Sequence, residues 1–282
     1  MVSDNELGLF LRTRRAAITP AQVGLPAGPR RRAPGLRRSE VAALAGVSVE
    51  YVIRLEQGRD RRPSPQVLSA LAGALRLSAG ERAYLLRLTK AADPGHNCLG
   101  RTRPARTVRP TVRALIDRLE PSSAVLLNRL GDILAHTSGY ERLMGPFGLL
   151  EAAHPNLPRF ILSDERARDA FPDWERIADD EVAALKQGPF RADPHIAALA
   201  TELSVTAGEA FTRRVETVPG LPRSNGVFSM AHPEAGLLRL AFEVLELPDD
   251  DDQRLIVHLP ADAATGAVLD RLHSEPLRLL AG

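Results

Sequence analysis

Apolar positions along the first ninety residues recur with the period of an α-helix. Leu7, Phe10 and Leu11 mark an i, i+3, i+4 face, and "SDNE" at 3–6 reads as a capping box with Ser3 as N-cap and Glu6 three residues on. A helix is therefore predicted to about Ala17. "PAQVGLPAGPRRRAPG" at 20–35 holds four prolines and three glycines, which breaks the pattern into a loop. "SEVAALAGVSVEYVIRLEQG" at 39–58 then sets two short apolar runs around one glycine and predicts helices at about 38–45 and 49–57. Isolated helices under ~12 residues are marginal in water, so both must dock on neighbours. Ser64 as N-cap and Pro65 at the first helical position open another helix, with Leu68, Leu71, Ala72 and Leu75 on one face. "SAGE" at 78–81 is a second capping box, leading into helix from Ala83 to Ala91. The stretch holds five predicted helices and no strand.

"DPGHNCLGRTRPARTVRP" at 93–110 has no apolar period and is rich in Pro, Gly and Arg, which reads as a linker. Beyond it the pattern changes. "PTVRALIDRL" is helical. "AVLLNRLGDILAHT" predicts two strands turning near Leu130, Gly131 and Asp132. "DERARDAFPDWERIADDEVAALK" and "DPHIAALATELS" read as helical, "NGVFSMAHPEAGLLRLAFEVLEL" as two strands and "QRLIVHLPA" as a fifth. The expected organisation is an all-α five-helix domain over 1–92, a linker over 93–109, and an α+β domain over 110–282 with an antiparallel sheet of about five strands.

The two-helix unit has its own logic. Val41 and Ala45 lie on the inner face of the first helix, with small Ala42 where the helices cross. Gly46 can take the positive φ of the turn, Val47 plugs it, Ser48 caps the second helix, and Val52 and Leu55 face inward. Together these positions satisfy a helix-turn-helix. An ordinary αα-hairpin is the competing reading, and charge argues against it. The net charge is +2 over 282 residues, but residues 1–110 carry 20 Lys and Arg against 8 Asp and Glu, whereas the remainder carries 17 against 27. A basic module joined to an acidic one points to a polyanion partner, double-stranded DNA. The second helix then enters the major groove. Its outward residues Ser48, Val49, Glu50, Ile53, Arg54 and Gln57 are the base-reading candidates; Glu50 suits cytosine N4 and Arg54 suits guanine. Arg54 has an alternative in pairing with Glu50 or Glu40. Arg30, Arg31 and Arg32 in the loop, Arg37 and Arg38 at the start of the first helix, Tyr51, and Arg59, Arg61 and Arg62 after the second are candidates for phosphate contact. One short helix reads few bases, so a homodimer on an inverted-repeat operator is expected.

"GLRRSEVAALAGVSVEYVIRLEQGRDRRPSPQVLSALAGALRL" at 35–77 resembles the DNA-binding half of the MmyB-like regulators, within the XRE (Cro/repressor-like) helix-turn-helix class. "VLLNRLGDILA" at 125–135, "FPDWE" at 171–175 and "HPEAGLLRLAFEVLELPDDDDQRL" at 232–255 are similar to recurring stretches of that family's second domain. The resemblance covers nearly the whole chain. It implies a transcription regulator whose PAS-like C-terminal domain senses a small apolar ligand of fatty-acid type. The sequence departs from the family at Gly131 and His136, where Trp is common, and lacks the Trp often found within 212–217, so any cavity is expected to be reshaped.

Residues expected around such a ligand are Leu126, Leu134, Leu238, Leu240 and Phe242 for its apolar part, and Asn128, His136, Tyr140, Arg223 and His232 for its head group. A plain core is the alternative for the first set, and His232 reads equally as a turn residue. "PDDDDQ" at 248–253 lacks the spacing of a calcium loop and reads as a solvated turn. No cofactor and no metal is expected. The sequence contains no G-x-S-x-G, phosphate-loop, H-E-x-x-H or C-x-x-C motif, and its seven histidines are scattered. An enzyme tethered to DNA is thus the remote alternative. A C-terminal module for dimerisation or a protein partner, without a small-molecule ligand, is the nearer one. The single Cys98 fits a reducing compartment, and no run of 18 apolar residues occurs, so the expected location is the cytoplasm, on the nucleoid when bound to DNA and with no membrane role.

Overall fold

The structure is a computed structural model that describes residues 5–26, 34–60, 62–91, 103–187, 190, 193–247 and 253–274. Arg30, Arg31, Arg32, Arg61, Cys98, the acidic run at 248–252 and much of the expected linker lie outside the described residues. Packing divides the chain into two units, Met1–Gly100 with Arg213–Leu221 and Arg101–Thr212 with Pro222–Gly282.

The first unit contains α1 (Glu6–Ala17), α2 (Arg38–Ala45), α3 (Val49–Glu56), α4 (Pro65–Ala74) and α5 (Ala79–Ala91). The loop ahead of α2 carries one short 3-10 turn at Pro20–Val23, where Pro20 pre-sets the first helical φ. α1 differs at its start: its N-cap is Asn5, not Ser3, and the Asn5 side chain accepts the Gly8 N–H at 2.9 Å. The reason is tertiary, because the same amide donates to the carbonyl of Glu56 at 2.8 Å and so ties the start of α1 to the end of α3. The other predicted caps stand as read. Ser48 and Ser64 accept from the N–H groups of Tyr51 and Val67, and Ser78 exchanges hydrogen bonds with Glu81. Gly46 sits at φ +65°, and a Cβ there would meet nothing within 4 Å, so conformation alone makes glycine the suitable residue. Phe10, Leu11, Leu36, Val41, Leu55, Leu71, Leu75 and Tyr84 form the shared core, and Tyr84 meets Phe10 edge-on at 5.2 Å.

The second part of the chain holds α6 (Pro110–Arg118), β1 (Ser123–Leu127), β2 (Ile133–His136), α7 (Ser138–Met144), α8 (Leu157–Ser163), α9 (Arg166–Ala170), α10 (Trp174–Leu185), α11 (Pro194–Thr206), α12 (Glu209–Thr217), β3 (Asn225–His232), β4 (Gly236–Leu247), β5 (Gln253–Pro260) and α13 (Ala263–Ser274). The five strands form one antiparallel sheet in the order β2-β1-β5-β4-β3, as expected of the α+β domain. β1 is buried along its whole length, which explains its unbroken apolar run. The segment read as one helix around "FPDWE" is two: Pro172 cannot donate, and Phe171 before it is extended, so α9 ends there and α10 starts at Trp174.

Gly131 makes the β1–β2 turn at φ +78°, and a Cβ would lie 2.3 Å from Pro158 Cδ. The tryptophan common in the resembling family has no room here.

Candidate functional site

The helix-turn-helix presents the face the pattern predicted. Val41, Ala42, Ala45, Val52 and Leu55 are buried. Ser48, Glu50, Arg54 and Gln57 are exposed, and Val49, Tyr51 and Ile53 are half-buried. The Arg54 guanidinium lies over the Tyr51 ring, 5.2 Å from its centroid. It is this ring, rather than Glu50 or Glu40, that holds Arg54; the Glu40 carboxylate accepts the Arg37 N–H at 2.6 Å and caps α2. Burial raises the Tyr51 hydroxyl above its ordinary value, Asp60 adds to that, and Arg54 opposes it. Arg37, Arg59 and Arg62 are exposed beside this face.

Arg38 is placed differently. Its Nε donates to Glu56 Oε2 at 2.7 Å, while Arg15 Nε donates to Oε1 at 2.6 Å and its Nη2 to Oε2 at 3.2 Å. Arg12 and Asn5 both donate to the Glu56 carbonyl. The last residue of α3 is thereby clamped from α1 and α2, which fixes the angle at which the outer face is held. Sequence reading missed Glu56. Its signal was a carboxylate one turn after Val52 and next to Leu55, on the inward stripe, where a charge needs partners.

The second unit encloses a cavity of about 790 Å³, including the part open to solvent. One wall is a sheet face: Ser123 and Val125 of β1, Arg254, Ile256 and His258 of β5, Phe242 and Val244 of β4, Phe228 and Met230 of β3. The other is Tyr140, Leu143 and Met144 of α7, Leu157 and Ile161 of α8, Phe171, and Ile177, Asp180 and Glu181 of α10, with Pro222 and Arg223. Strand alternation makes the division. Ala124 and Leu126, between the cavity-facing residues of β1, turn to the opposite layer with Val112 and Ile116 of α6.

The charged groups in the cavity are paired. Arg223 Nε and Nη2 reach Asp180 Oδ2 at 2.9 and 2.5 Å, and Arg223 also lies over the Phe242 ring. Arg254 Nη2 meets Glu181 Oε2 at 3.0 Å. Burial raises the Glu181 carboxyl, with Arg254 pulling the other way. His258 Nδ1 lies 3.1 Å from Ser123 Oγ, and its ring stacks on Tyr140 at 5.9 Å. Burial drives the Tyr140 hydroxyl up and the His258 imidazole down to about 4 from 6.5. The unfolded chain protonates this ring at the higher value, so its contribution to stability is complete above about 6.5 and is lost as pH falls toward about 4. The ring lines a cavity partly open to solvent, which screens part of the effect. Roughly 2 kcal/mol of acid destabilisation is expected from this ring, read as the difference between wild type and His258→Gln in urea unfolding at pH 7 and pH 4.

Of the residues expected around a ligand, Tyr140, Arg223 and Phe242 line the cavity. The others do not. Leu126, Leu238 and Leu240 are fully buried in close-packed core, and Leu134 packs on the layer behind the sheet. Asn128 closes the β1–β2 turn, accepting from Leu130 and Asp132 N–H and donating to the Asp132 carboxylate. His136 contacts the Thr137 carbonyl, and His232 accepts from Glu234 and Ala235 N–H in the β3–β4 turn. Neither Gly131 nor His136 lines the cavity, but each adjoins a residue that does: the His136 ring lies 6.1 Å from that of Tyr140, and the Gly131 carbonyl accepts the Leu157 N–H. Ser123, Asp180, Glu181, Arg254 and His258 were missed. Each belongs to a short polar interruption whose facing depends on register, and register needs the partner strand.

Two family models match the chain. The MmyB-like transcription regulator ligand binding domain matches residues 108–272, and the helix-turn-helix matches residues 30–81. Both are regulator domains rather than enzymes. No curated protein matches the chain.

Proposed function

Since the chain belongs to the MmyB-like transcription regulators, we propose that it reads an inverted-repeat duplex as a homodimer and that a small apolar molecule in the second unit adjusts this binding. It is a DNA-binding transcription regulator; the operator form, the dimer and the ligand are the proposal. The observation that carries it is the exposed outer face of α3, held at a fixed angle through Glu56. Ser48, Val49, Glu50, Ile53, Arg54 and Gln57 meet base edges, while Tyr51, Arg37, Arg59, Arg62 and the loop arginines meet phosphates. The cavity, apolar with a few convergent polar groups, favours a ligand over a protein partner in the second unit. A ligand that binds better in one dimer geometry shifts the spacing between half-sites. Among the described residues no helix is long and apolar enough to cross a membrane, and a duplex target supports the reading that the protein works in the cytoplasm.

Selection of random duplexes by the purified full chain tests the proposal. A two-fold-symmetric consensus is expected, with half-site centres about 10 base pairs apart or a multiple of that. A single unrepeated half-site, or no enrichment, removes it. Arg37→Ala is expected to weaken all sequences alike and to flatten the salt slope by about one unit, read by fluorescence anisotropy across a salt series. Arg38→Ala is a poorer phosphate probe, because it also uncovers Glu56.

A further inference from the structure

We propose that the ligand selected by this cavity is an uncharged amphiphile: an apolar body carrying one hydroxyl, carbonyl or amide group, not a carboxylate. The inference rests on the reading of the cavity as a ligand site and adds the chemical class.

The first ground is charge. Two guanidiniums and two carboxylates line the cavity, and they are matched as Arg223 with Asp180 and Arg254 with Glu181. A carboxylate entering here finds both cations occupied. It must stay unpaired in an apolar enclosure or displace a protein carboxylate, which is then stranded; either way a buried charge goes without its partner. An ammonium group meets the mirror of the same obstacle. A neutral molecule disturbs neither pair.

The second ground is unfilled hydrogen bonding. Tyr140 is 2% exposed and lines the cavity, and among the described residues its hydroxyl has no hydrogen-bond partner. His258 uses Nδ1 toward Ser123, and its Nε2 has no partner among the described residues. The stacked rings, His258 from the sheet wall and Tyr140 from the helical wall, bring both groups together where the walls meet. The imidazole is neutral, so Nε2 donates when Ser123 donates to Nδ1 and accepts when Ser123 accepts. A hydroxyl or amide satisfies Tyr140 and either tautomer of His258. The remaining wall, including Phe171, Phe228, Met230 and Ile256, offers only apolar contact.

The test is calorimetric titration of the full chain at pH 7.5 with two matched pairs, octan-1-ol against octanoate and 2-naphthol against 2-naphthoate. The neutral member of each pair is expected to bind at least about tenfold more tightly. Tyr140→Phe should cost the neutral probes about fivefold, the value of one hydrogen bond. Asp180→Asn frees the Arg223 charge and should narrow the gap by raising acid affinity. Equal or tighter binding of the acids to wild type overturns the neutral-ligand inference while leaving the ligand site standing. Failure of all four probes to bind overturns the site itself, and the inference with it.

Discussion

Glu56→Ala is expected to lower the unfolding free energy of the helical unit by about 3 kcal/mol, the scale for removing one partner from a buried ion pair. The Glu56 side chain is 2% exposed, and its carboxylate is held by Arg15 and Arg38, whose side chains are 19% and 44% exposed. Removing it leaves two guanidiniums facing each other, the inner one largely cut off from water. It also leaves a void at the junction of α1, α2 and α3. Glu56→Gln keeps the shape and loses only the charge, so its cost should be smaller. Urea unfolding of the full chain, followed with hydrogen exchange at α3 amides, separates loss in this unit from loss elsewhere. A change under 1 kcal/mol would mean that the clamp does not hold α3.

Leu126→Ala is expected to cost the second unit about 3 kcal/mol, while Val125→Ala beside it costs about 1 kcal/mol. Leu126 is 0% exposed and packs with Val112, Ile116, Ala135 and Leu255, so its removal opens a void that rigid strands cannot close. Val125 already borders open space, and shortening it enlarges a cavity that exists. The two should also part in binding. Folded Leu126→Ala protein should bind octan-1-ol as wild type does, and Val125→Ala should change that affinity. Urea midpoints and calorimetry on both variants check the pair. Equal costs would mean that β1 does not divide cavity from core as described.

What could be read from the chain follows the range of the interactions involved. Gly46, Ser48, Ser64 and the Ser78–Glu81 box act within a few residues, so their sites in α2 to α5 were legible before any packing was known. The five strands showed in their runs of Val, Leu and Ile. The Asn5 cap was not legible, because the residue that selects it is 51 positions away. The seven-residue helices α7 and α8 escaped for a related reason. They are shorter than two clear apolar periods, and their caps, Thr137 and Asn156, also serve β1 and the β1–β2 turn. The cavity was the hardest part. Leu126 and Val125 are adjacent and equally apolar, and only the pleat of β1 sends one to the core and the other to the cavity. His258 stood in a strand whose place between β1 and β4 no local pattern discloses.

The account depends on the outer edge of α3 touching base edges, and Glu50 is its sharpest probe: exposed, in the first turn, and able to accept from cytosine N4. The direct measurement is duplex selection by Glu50→Ala beside wild type. The account predicts a consensus altered at one symmetric pair of positions, with affinity for the original duplex reduced by about 1–3 kcal/mol. An unchanged consensus, bound uniformly more weakly, would contradict it.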